Sequence, residues 1–252
     1  MVDRAPRTGV IWSGSTSARV RPWANDPARA FLIIMGSHGL ETRMPDPAVL
    51  NQWLTTLADW GYRSVRTNAL APGVASALDD MGFVTGQELV LLCLDHPDRP
   101  RFDIPADVTP EPMRAARRRI GRPSFAGILD LDRVAFGDEW RMDASSFSDA
   151  MGATRRSRLL VSRTAGSIDG FALVGASDDN GYLQRLAVHP AARRTGVASR
   201  LVAAAIEWSW SHGCVRTVVN TEKDNTAALS LYGSTGFRPM DHGLRVMERD
   251  LS

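Results

Sequence analysis

The chain has 252 residues, of which 44% are hydrophobic and 23% charged, a composition typical of a globular protein and unlike that of a disordered chain or a coiled coil. Thirty basic and 28 acidic residues leave a formal charge of +2, so no strong overall field directs the protein to nucleic acid or to an acidic membrane surface. The longest apolar runs, residues 31–35 and 89–94, are far shorter than the roughly 20 residues of a membrane-spanning helix. Since the first residues also do not resemble a secretion signal, we expect a cytoplasmic protein with no nucleic-acid or membrane partner.

The cysteine content gives no sign of a metal site. Cys93 and Cys214 lie far apart and lack the paired spacing of a zinc site or a disulfide scaffold. We therefore expect two buried thiols and no metal ion.

The chain divides near its middle. In the first half, residues 30–35 and 89–94 read as buried strands and residues 47–60 as a helix whose tryptophans, Trp53 and Trp60, face the core. A proline- and acid-rich stretch without periodicity follows at 95–112 and is typical of a connector. We predict a first domain at 1–98, a linker at 99–112 and a second domain at 113–252.

The second half alternates strands and helices in a definite order. Apolar spacing predicts helices at 124–136 and 145–151, an antiparallel meander of strands at 158–163, 168–175 and 181–188, then a helix at 196–211, a strand at 215–220, a helix at 226–234 and a strand at 243–249. This order indicates an α/β (α+β) fold with a mixed, mostly antiparallel sheet flanked by helices.

A weak internal repeat links the two halves. Residues 58–83 and 210–237 share the order helix, glycine, β-branched run, second helix and Gly-Phe, which suggests duplication of one α/β unit. The first half is then a smaller, degenerate half-domain of related topology.

The turn at 188–200 carries the first chemical signal, because arginines and small residues coincide there with the start of a helix. Unpaired N–H groups and the positive end of the helix dipole bind phosphate groups. Gly196 would admit a phosphate close to the backbone, and Arg193 and Arg194 would add charge-assisted hydrogen bonds. An ordinary strand-to-helix turn explains these residues equally well.

A second motif follows at a fixed distance. Arg193, Gly196 and Ala198, after the run 186–190, resemble the acyl-CoA pyrophosphate loop of the GCN5-related N-acetyltransferase (GNAT) superfamily, and 225–237, with Asn225 at its start, is similar to the family's second signature. The resemblance covers residues 114–252. Residues 135–140 look most like the branch that acetylates protein α-amino groups, although many small-amine acetyltransferases share these features.

The resemblance implies a site for acetyl-CoA between two diverging strands. It implies a backbone donor near Leu186 or Ala187 that stabilises the oxyanion, Asn225 as a contact to pantetheine or simply as a helix cap, and Tyr232 as general acid or as a packed core tyrosine. The residues implied in cofactor binding are Leu186, Ala187, Val188, Arg193, Arg194, Thr195, Gly196, Val197, Ala198, Ser199, Asn225, Ala228 and Tyr232.

The general base is less clearly indicated. Gln184 and Asn220 occupy the positions at which related enzymes carry a glutamate, and neither titrates near neutral pH. Glu222 is the best side-chain candidate, with His189 and Glu139 as further possibilities. A chain of water molecules ending at a backbone carbonyl is the alternative to a side-chain base.

The implied function is an N-acetyltransferase that moves an acetyl group from acetyl-CoA to a primary amine by direct attack in a ternary complex. The acceptor is a small amine or a protein α-amino group, and the protein is a monomer or a homodimer. Three alternatives stay open: a different donor such as succinyl-CoA, a non-catalytic acyl-CoA-binding regulatory module, and a purely structural pseudoenzyme. In the first half, residues 44–46 stand at the position equivalent to the loop around Gly196, and they include neither a glycine nor an arginine. The first half is therefore not expected to bind coenzyme A.

Overall fold

The computed structural model describes residues 7–13, 16–35, 45–98, 107–111 and 123–251. These residues form two compact units, one from the described parts of 1–90 and 241–252 and the other from those of 91–240. In chain order the elements are β1 (Gly9–Ser13), β2 (Thr16–Trp23), β3 (Asp26–Met35), α1 (Pro47–Asp59), β4 (Ser64–Thr67), α2 (Pro72–Asp79), β5 (Val84–Asp95), β6 (Val108–Glu111), α3 (Pro123–Trp140), α4 (Ala144–Gly152), β7 (Arg156–Thr164), β8 (Ser167–Ser177), β9 (Asn180–Val188), α5 (Val197–Ser211), β10 (Arg216–Glu222), α6 (Thr226–Ser234), β11 (Arg238–Pro239) and β12 (Leu244–Asp250).

The first unit is a mixed sheet in the order β1-β2-β3-β4-β12-β5. β3 and β4 are parallel, with Arg29 opposite Ser64, and the other described pairs are antiparallel. The side chain of Asp46 caps α1 by accepting from Ala48 N at 2.9 Å, and Pro47 supplies a φ suited to the first turn. The predicted helix at 47–60 is thereby confirmed. One face of α1 is buried at helical spacing by Leu50, Trp53, Leu54 and Leu57.

The second unit has the order β11-β5-β10-β9-β8-β7-β6, in which β5 contributes residues 91–95. The predicted meander is confirmed, since β7, β8 and β9 pair antiparallel. Phe171 of β8 packs among the residues of α3 and α4. Its neighbour Gly170 lies against Val197 and Leu201 of α5. Because successive residues of a strand face opposite sides, α3 and α4 cover one face of the sheet and α5 the other.

The helix predicted at 124–136 ends where the sequence indicates. Gly137 has φ 75° and ψ 175° and interrupts α3, a conformation that glycine adopts at no steric cost. Residues 138–140 form a short continuation. The helix predicted at 145–151 is confirmed as α4, capped by Asp143, which accepts from Ser146 N at 2.6 Å.

The compact units depart from the predicted chain-order limits 1–98, 99–112 and 113–252 in two segments. Residues 91–98 belong to the second unit, and residues 241–252 belong to the first. Within the predicted linker, 108–111 form a strand, β6, which pairs with β7, while 99–106 and 112–122 lie outside the described residues. Strand pairing between distant segments leaves no local pattern, so composition alone did not reveal it. Cys214 is buried as expected, but Cys93 is only half-buried.

Candidate active site

β9 and β10 pair over only part of their lengths. Their parallel register runs from Asn180 opposite Arg216 to Leu183 opposite Val219. At the next residue of β9, Gln184, the register with β8 shifts by one, which is a β-bulge. No pairing between the two strands is found beyond this point in the part of the chain that the structure describes. The strands therefore diverge, as the resemblance implies.

The backbone alternation of β9 determines which groups face this gap. His189 N donates to Asp169 O at 2.8 Å, so in the antiparallel ladder with β8 the hydrogen-bonded positions are 189 and 187, and the polar groups of 188 and 186 point the other way. Leu186 and Val188 thus present N–H and C=O groups on the β10 side. By the same alternation Ala187 bonds to β8, and this geometry favours Leu186 over Ala187 as the donor.

The loop between β9 and α5 is tightly folded. A short 3-10 turn spans Pro190–Ala192, and Thr195 Oγ1 donates to Ala192 O at 2.7 Å. Arg194 and Gly196 both have positive φ, 67° and 84°. Gly196 is the N-cap of α5 and provides no side-chain hydrogen bond to the first turn. The start of this 15-residue helix therefore has no competing side-chain cap, which is the arrangement that suits an anion.

The predicted loop residues are largely accessible. Arg193, Arg194, Thr195, Gly196 and Ser199 are exposed, Ala198 is half-buried and Val197 is buried in the core. Sequence reasoning missed one further residue, Arg200. Its NH1 donates to Thr195 O at 3.1 Å, and its Nε lies 3.1 Å from Asp107 Oδ2. Helical spacing from Gly196 could have indicated Arg200, but no local signal points to Asp107.

Asn225 has the capping role considered from the sequence. Its Oδ1 accepts from Ala228 N at 3.1 Å at the start of α6. The Nδ2 group is the part of the side chain left to donate to a ligand. Asn225, and not the preceding Asp224, is the N-cap of this helix. The N–H of Ala228 is used by this cap, so its half-buried methyl group is what it can offer to a ligand.

Tyr232 of α6 is 5% exposed and packs against Phe237 with ring centroids 5.6 Å apart. None of the described residues hydrogen-bonds its hydroxyl. Burial raises the pKa of Tyr232 to about 12, because the phenolate is poorly solvated. The phenol is therefore protonated at neutral pH and can only act there as a proton donor.

We expect this burial to make the protein less stable at alkaline pH. Below pH 10 both folded and unfolded states keep the proton, whereas between about pH 10 and 12 the unfolded state loses it first, so stability falls as the pH rises, by roughly 2 to 3 kcal/mol for one such group. Chemical denaturation at pH 9 to 12 should show a shallower loss for Tyr232→Phe than for wild type. Equal slopes for the two proteins would contradict the conclusion that burial of Tyr232 causes this loss of stability. Tyr62, with a pKa also raised to about 12 by burial, contributes equally to both curves.

The candidate bases lie on several elements of the second unit. Glu222 is the last residue of that strand and is half-buried, and Asn220 is exposed. Gln184 donates through Nε2 to Ala150 O at 2.8 Å. His189 accepts from Ala191 N at 3.2 Å through Nδ1, so it serves as a turn cap, and Glu139 is exposed at the end of α3.

A buried ion pair next to the bulge was also missed. Asp132 of α3 is fully buried, and Arg185 approaches it through Nε at 2.7 Å and NH2 at 2.9 Å. The guanidinium also lies 3.4 Å from the ring centroid of Phe136. The two charged residues are 53 positions apart in the chain. The sequence around each of them does not indicate that they form a pair.

In the part of the chain that the structure describes, no group of three His, Cys, Asp or Glu side chains could hold a metal ion. None of the described helices is long and apolar enough to span a membrane.

The sequence model described as "Acetyltransferase (GNAT) family" matches residues 125–237. This segment is a GNAT domain. It contains the gap, the loop and Tyr232, and enzymes of this family use acetyl-CoA and act on amine-bearing substrates. The family recognised from the sequence is thus confirmed for this segment, and the mixed, largely antiparallel sheet confirms the predicted fold class.

Two curated relatives match parts of the chain. The uncharacterized N-acetyltransferase YobR of Bacillus subtilis is 31% identical over 81 residues, which is 32% of this chain and 33% of the relative. GCN5-related N-acetyltransferase 6 of Arabidopsis thaliana, a chloroplastic protein, is 34% identical over 67 residues, 27% of this chain and 23% of the relative. The match therefore spans a third or less of these relatives' lengths.

Solved structures resemble nearly the whole chain. A tandem GNAT protein from the clavulanic acid biosynthesis pathway has a TM-score of 0.63 at 15% identity, covering 98% of this chain and 85% of its own. A GNAT protein from Sphaerobacter thermophilus has a TM-score of 0.58 at 14% identity, covering 94% and 77%. At such identities the likeness concerns the fold, and it extends beyond the GNAT domain.

Proposed function

We propose that the protein is an N-acetyltransferase that transfers an acetyl group from acetyl-CoA to a primary amine by direct attack in a ternary complex. The observation that carries the proposal is the gap between β9 and β10, where the amides of Leu186 and Val188 have no partner strand. The gap lies beside a helix start that has no side-chain cap. The gap suits a thioester, and the helix start suits a diphosphate.

Acetyl-CoA would supply an acetyl group activated as a thioester. The exposed loop residues 193–199 would bind its diphosphate, through the N–H groups at the start of α5 and the guanidinium groups of Arg193 and Arg194. Arg193 is partly engaged, since its NH2 donates to Ala135 O at 3.3 Å. Gly196 fits this role, because a Cβ there would lie 3.0 Å from Arg200 NH1 and would narrow the approach to the backbone.

The remaining residues would position the pantetheine arm and protonate the leaving sulfur. The N–H and C=O groups of Leu186 and Val188 would bind the pantetheine arm, with the Leu186 N–H stabilising negative charge on the thioester oxygen. Asn225 Nδ2 would donate to a pantetheine carbonyl while Oδ1 keeps its capping bond. As the new C–N bond forms and the C–S bond breaks, Tyr232 would give its phenolic proton to the leaving sulfur.

The amine must lose a proton in the same reaction, and we assign this to Glu222 at the end of β10. Glu222 is the candidate carboxylate on the strand that borders the gap. Water molecules leading to a backbone carbonyl are the alternative route. A Glu222→Gln variant would distinguish the two, because only the first requires the carboxylate.

A second candidate function is a regulatory module that binds acyl-CoA without turnover. It is favoured by the neutral residues Gln184 and Asn220 at the positions where related enzymes carry a carboxylate. The deciding experiment supplies purified protein with acetyl-CoA and a panel of small amines and peptides with free α-amino groups, and measures free thiol. Thiol release that depends on an amine supports the enzyme. Tight acetyl-CoA binding without release supports the module, and succinyl-CoA in parallel reactions tests the donor.

We further propose that the first half is a degenerate GNAT-like copy. Its order β3-α1-β4-α2-β5 parallels β9-α5-β10-α6-β11, and β3 pairs parallel to β4. In this unit Asn68 Oδ1 accepts from Ile34 N, and Asn68 N donates to Leu32 O, both at 3.2 Å. These bonds occupy two backbone groups at the end of β3, Ile34 N and Leu32 O, which are therefore not available to hydrogen-bond a pantetheine chain.

A further inference from the structure

The β9 bulge is held by two neighbouring side chains. Gln184 is the extra residue on β9, since Leu183 lies opposite Val174 and Arg185 opposite Leu173. In a regular strand successive side chains face opposite sides. Here Gln184 bonds to α4 and Arg185 bonds to α3, which cover the same face. The bulge therefore attaches β9 to both helices within two residues.

The Gln184 contact leaves an atom unsatisfied. Ala150 O can only accept, so the Nε2 group must face it, and this carbonyl also accepts from Ala153 N at 3.3 Å at the end of α4. The Oε1 atom of Gln184 is consequently buried, and no described residue donates to it. An unpartnered buried carbonyl oxygen is unfavourable. A fold optimised for stability alone would avoid it, which points to a functional reason for this contact.

The Arg185 contact uses the Nε and NH2 groups of the guanidinium. The guanidinium binds both carboxylate oxygens of Asp132 and donates through NH2 to Trp140 O at 2.7 Å. Asp132 Oδ2 also accepts from Met142 N at 2.6 Å. Two parallel bonds in a buried environment hold a guanidinium in one plane. Since the Nε and NH2 groups are occupied, Arg185 has no free pair of adjacent donors for a substrate carboxylate or phosphate.

We propose that Gln184, Arg185 and Asp132 are positioning residues that fix the peptide plane carrying the Leu186 N–H, so that this group faces the thioester oxygen. The peptide between Arg185 and Leu186 contains that N–H. The bonds that hold the Arg185 side chain to Asp132 and Trp140 therefore restrict the orientation of the same peptide plane. This inference rests on the proposed function. It assigns the three side chains to alignment of the donor rather than to recognition of the amine.

The test measures amide hydrogen exchange on the 252-residue chain, with and without acetyl-CoA and in the absence of an amine. In wild type, acetyl-CoA should slow exchange at Leu186 and Val188. Asp132→Asn alone leaves an arginine buried without its counter-charge and risks unfolding. The double variant Asp132→Asn with Arg185→Met removes that charge and keeps an acceptor for Met142 N, and Arg185→Lys keeps the charge but loses the fork.

We expect both the double variant and Arg185→Lys to bind acetyl-CoA within about threefold of wild type, while the added protection at Leu186 falls by roughly tenfold or more. The matched control is Asp95→Asn, which removes the carboxylate of a surface pair, Asp95–Arg216 at 3.3 Å, and should leave protection unchanged. A purely structural role predicts a lower melting temperature with wild-type protection at Leu186, and that result would overturn the inference alone. Failure of wild type to bind acetyl-CoA would instead overturn the proposed function and the inference with it.

Discussion

Gly196→Asp should reduce coenzyme A affinity by at least a hundredfold. The carboxylate would enter the loop in which the helix start is proposed to bind a diphosphate. Two like charges about 4 Å apart at an effective dielectric of 20 repel by about 4 kcal/mol, which corresponds to nearly a thousandfold in a dissociation constant. Isothermal titration of coenzyme A into the variant and the wild type measures the effect.

Backbone strain must be separated from this electrostatic effect. Gly196 has φ 84°, so any side chain there is unfavourable by about 1 to 2 kcal/mol. Gly213 has almost the same φ, 82°, it lies just after the other end of α5, and a Cβ on it would meet nothing within 4 Å. Gly213→Asp therefore imposes comparable strain outside the loop. Equal loss of affinity in the two variants, or retained affinity in Gly196→Asp, would remove the loop from the binding site.

Tyr232→Phe should lower turnover by about a hundredfold or more and leave the dissociation constant for acetyl-CoA nearly unchanged. The phenol has a pKa raised to about 12 and is the only proposed proton source for the leaving sulfur. Since no described residue hydrogen-bonds the hydroxyl, its removal should have little effect on folding. Steady-state kinetics with an amine found in the acceptor panel would give kcat, and titration would give donor affinity.

The matched control for this variant is Tyr182→Phe. Tyr182 lies on β9 in the same unit and also has a pKa raised by burial, but no role is assigned to it. We expect its phenylalanine variant to retain activity within about threefold. If Tyr232→Phe were as active as this control, the leaving thiolate would have to obtain its proton elsewhere, and Tyr232 would be a core residue.

Local features of the site were predictable from the sequence because their causes are local. Apolar spacing places α5 and α6 within one residue of their observed bounds. The glycine at 196 is required by a positive φ at the helix start. The capping role of Asn225 follows from its position before α6, and the sequence left it open beside a ligand role.

The features that could not be predicted depend on contacts between distant segments. Asp132 and Arg185 are 53 positions apart, and Arg200 and Asp107 are 93 apart, so neither pair leaves a periodic pattern. The choice between Leu186 and Ala187 depends on the hydrogen-bond phase of the β8–β9 ladder, which the register determines. The placement of residues 91–95 in the second unit likewise depends on which strands pair.

The most direct test is a crystal structure of the 252-residue chain soaked with coenzyme A. We expect the diphosphate within hydrogen-bonding distance of the N–H groups at the start of α5, near Gly196, and the pantetheine arm alongside Leu186 and Val188. A nucleotide bound elsewhere, or no coenzyme A between β9 and β10 at saturating concentration, would contradict the proposed binding site.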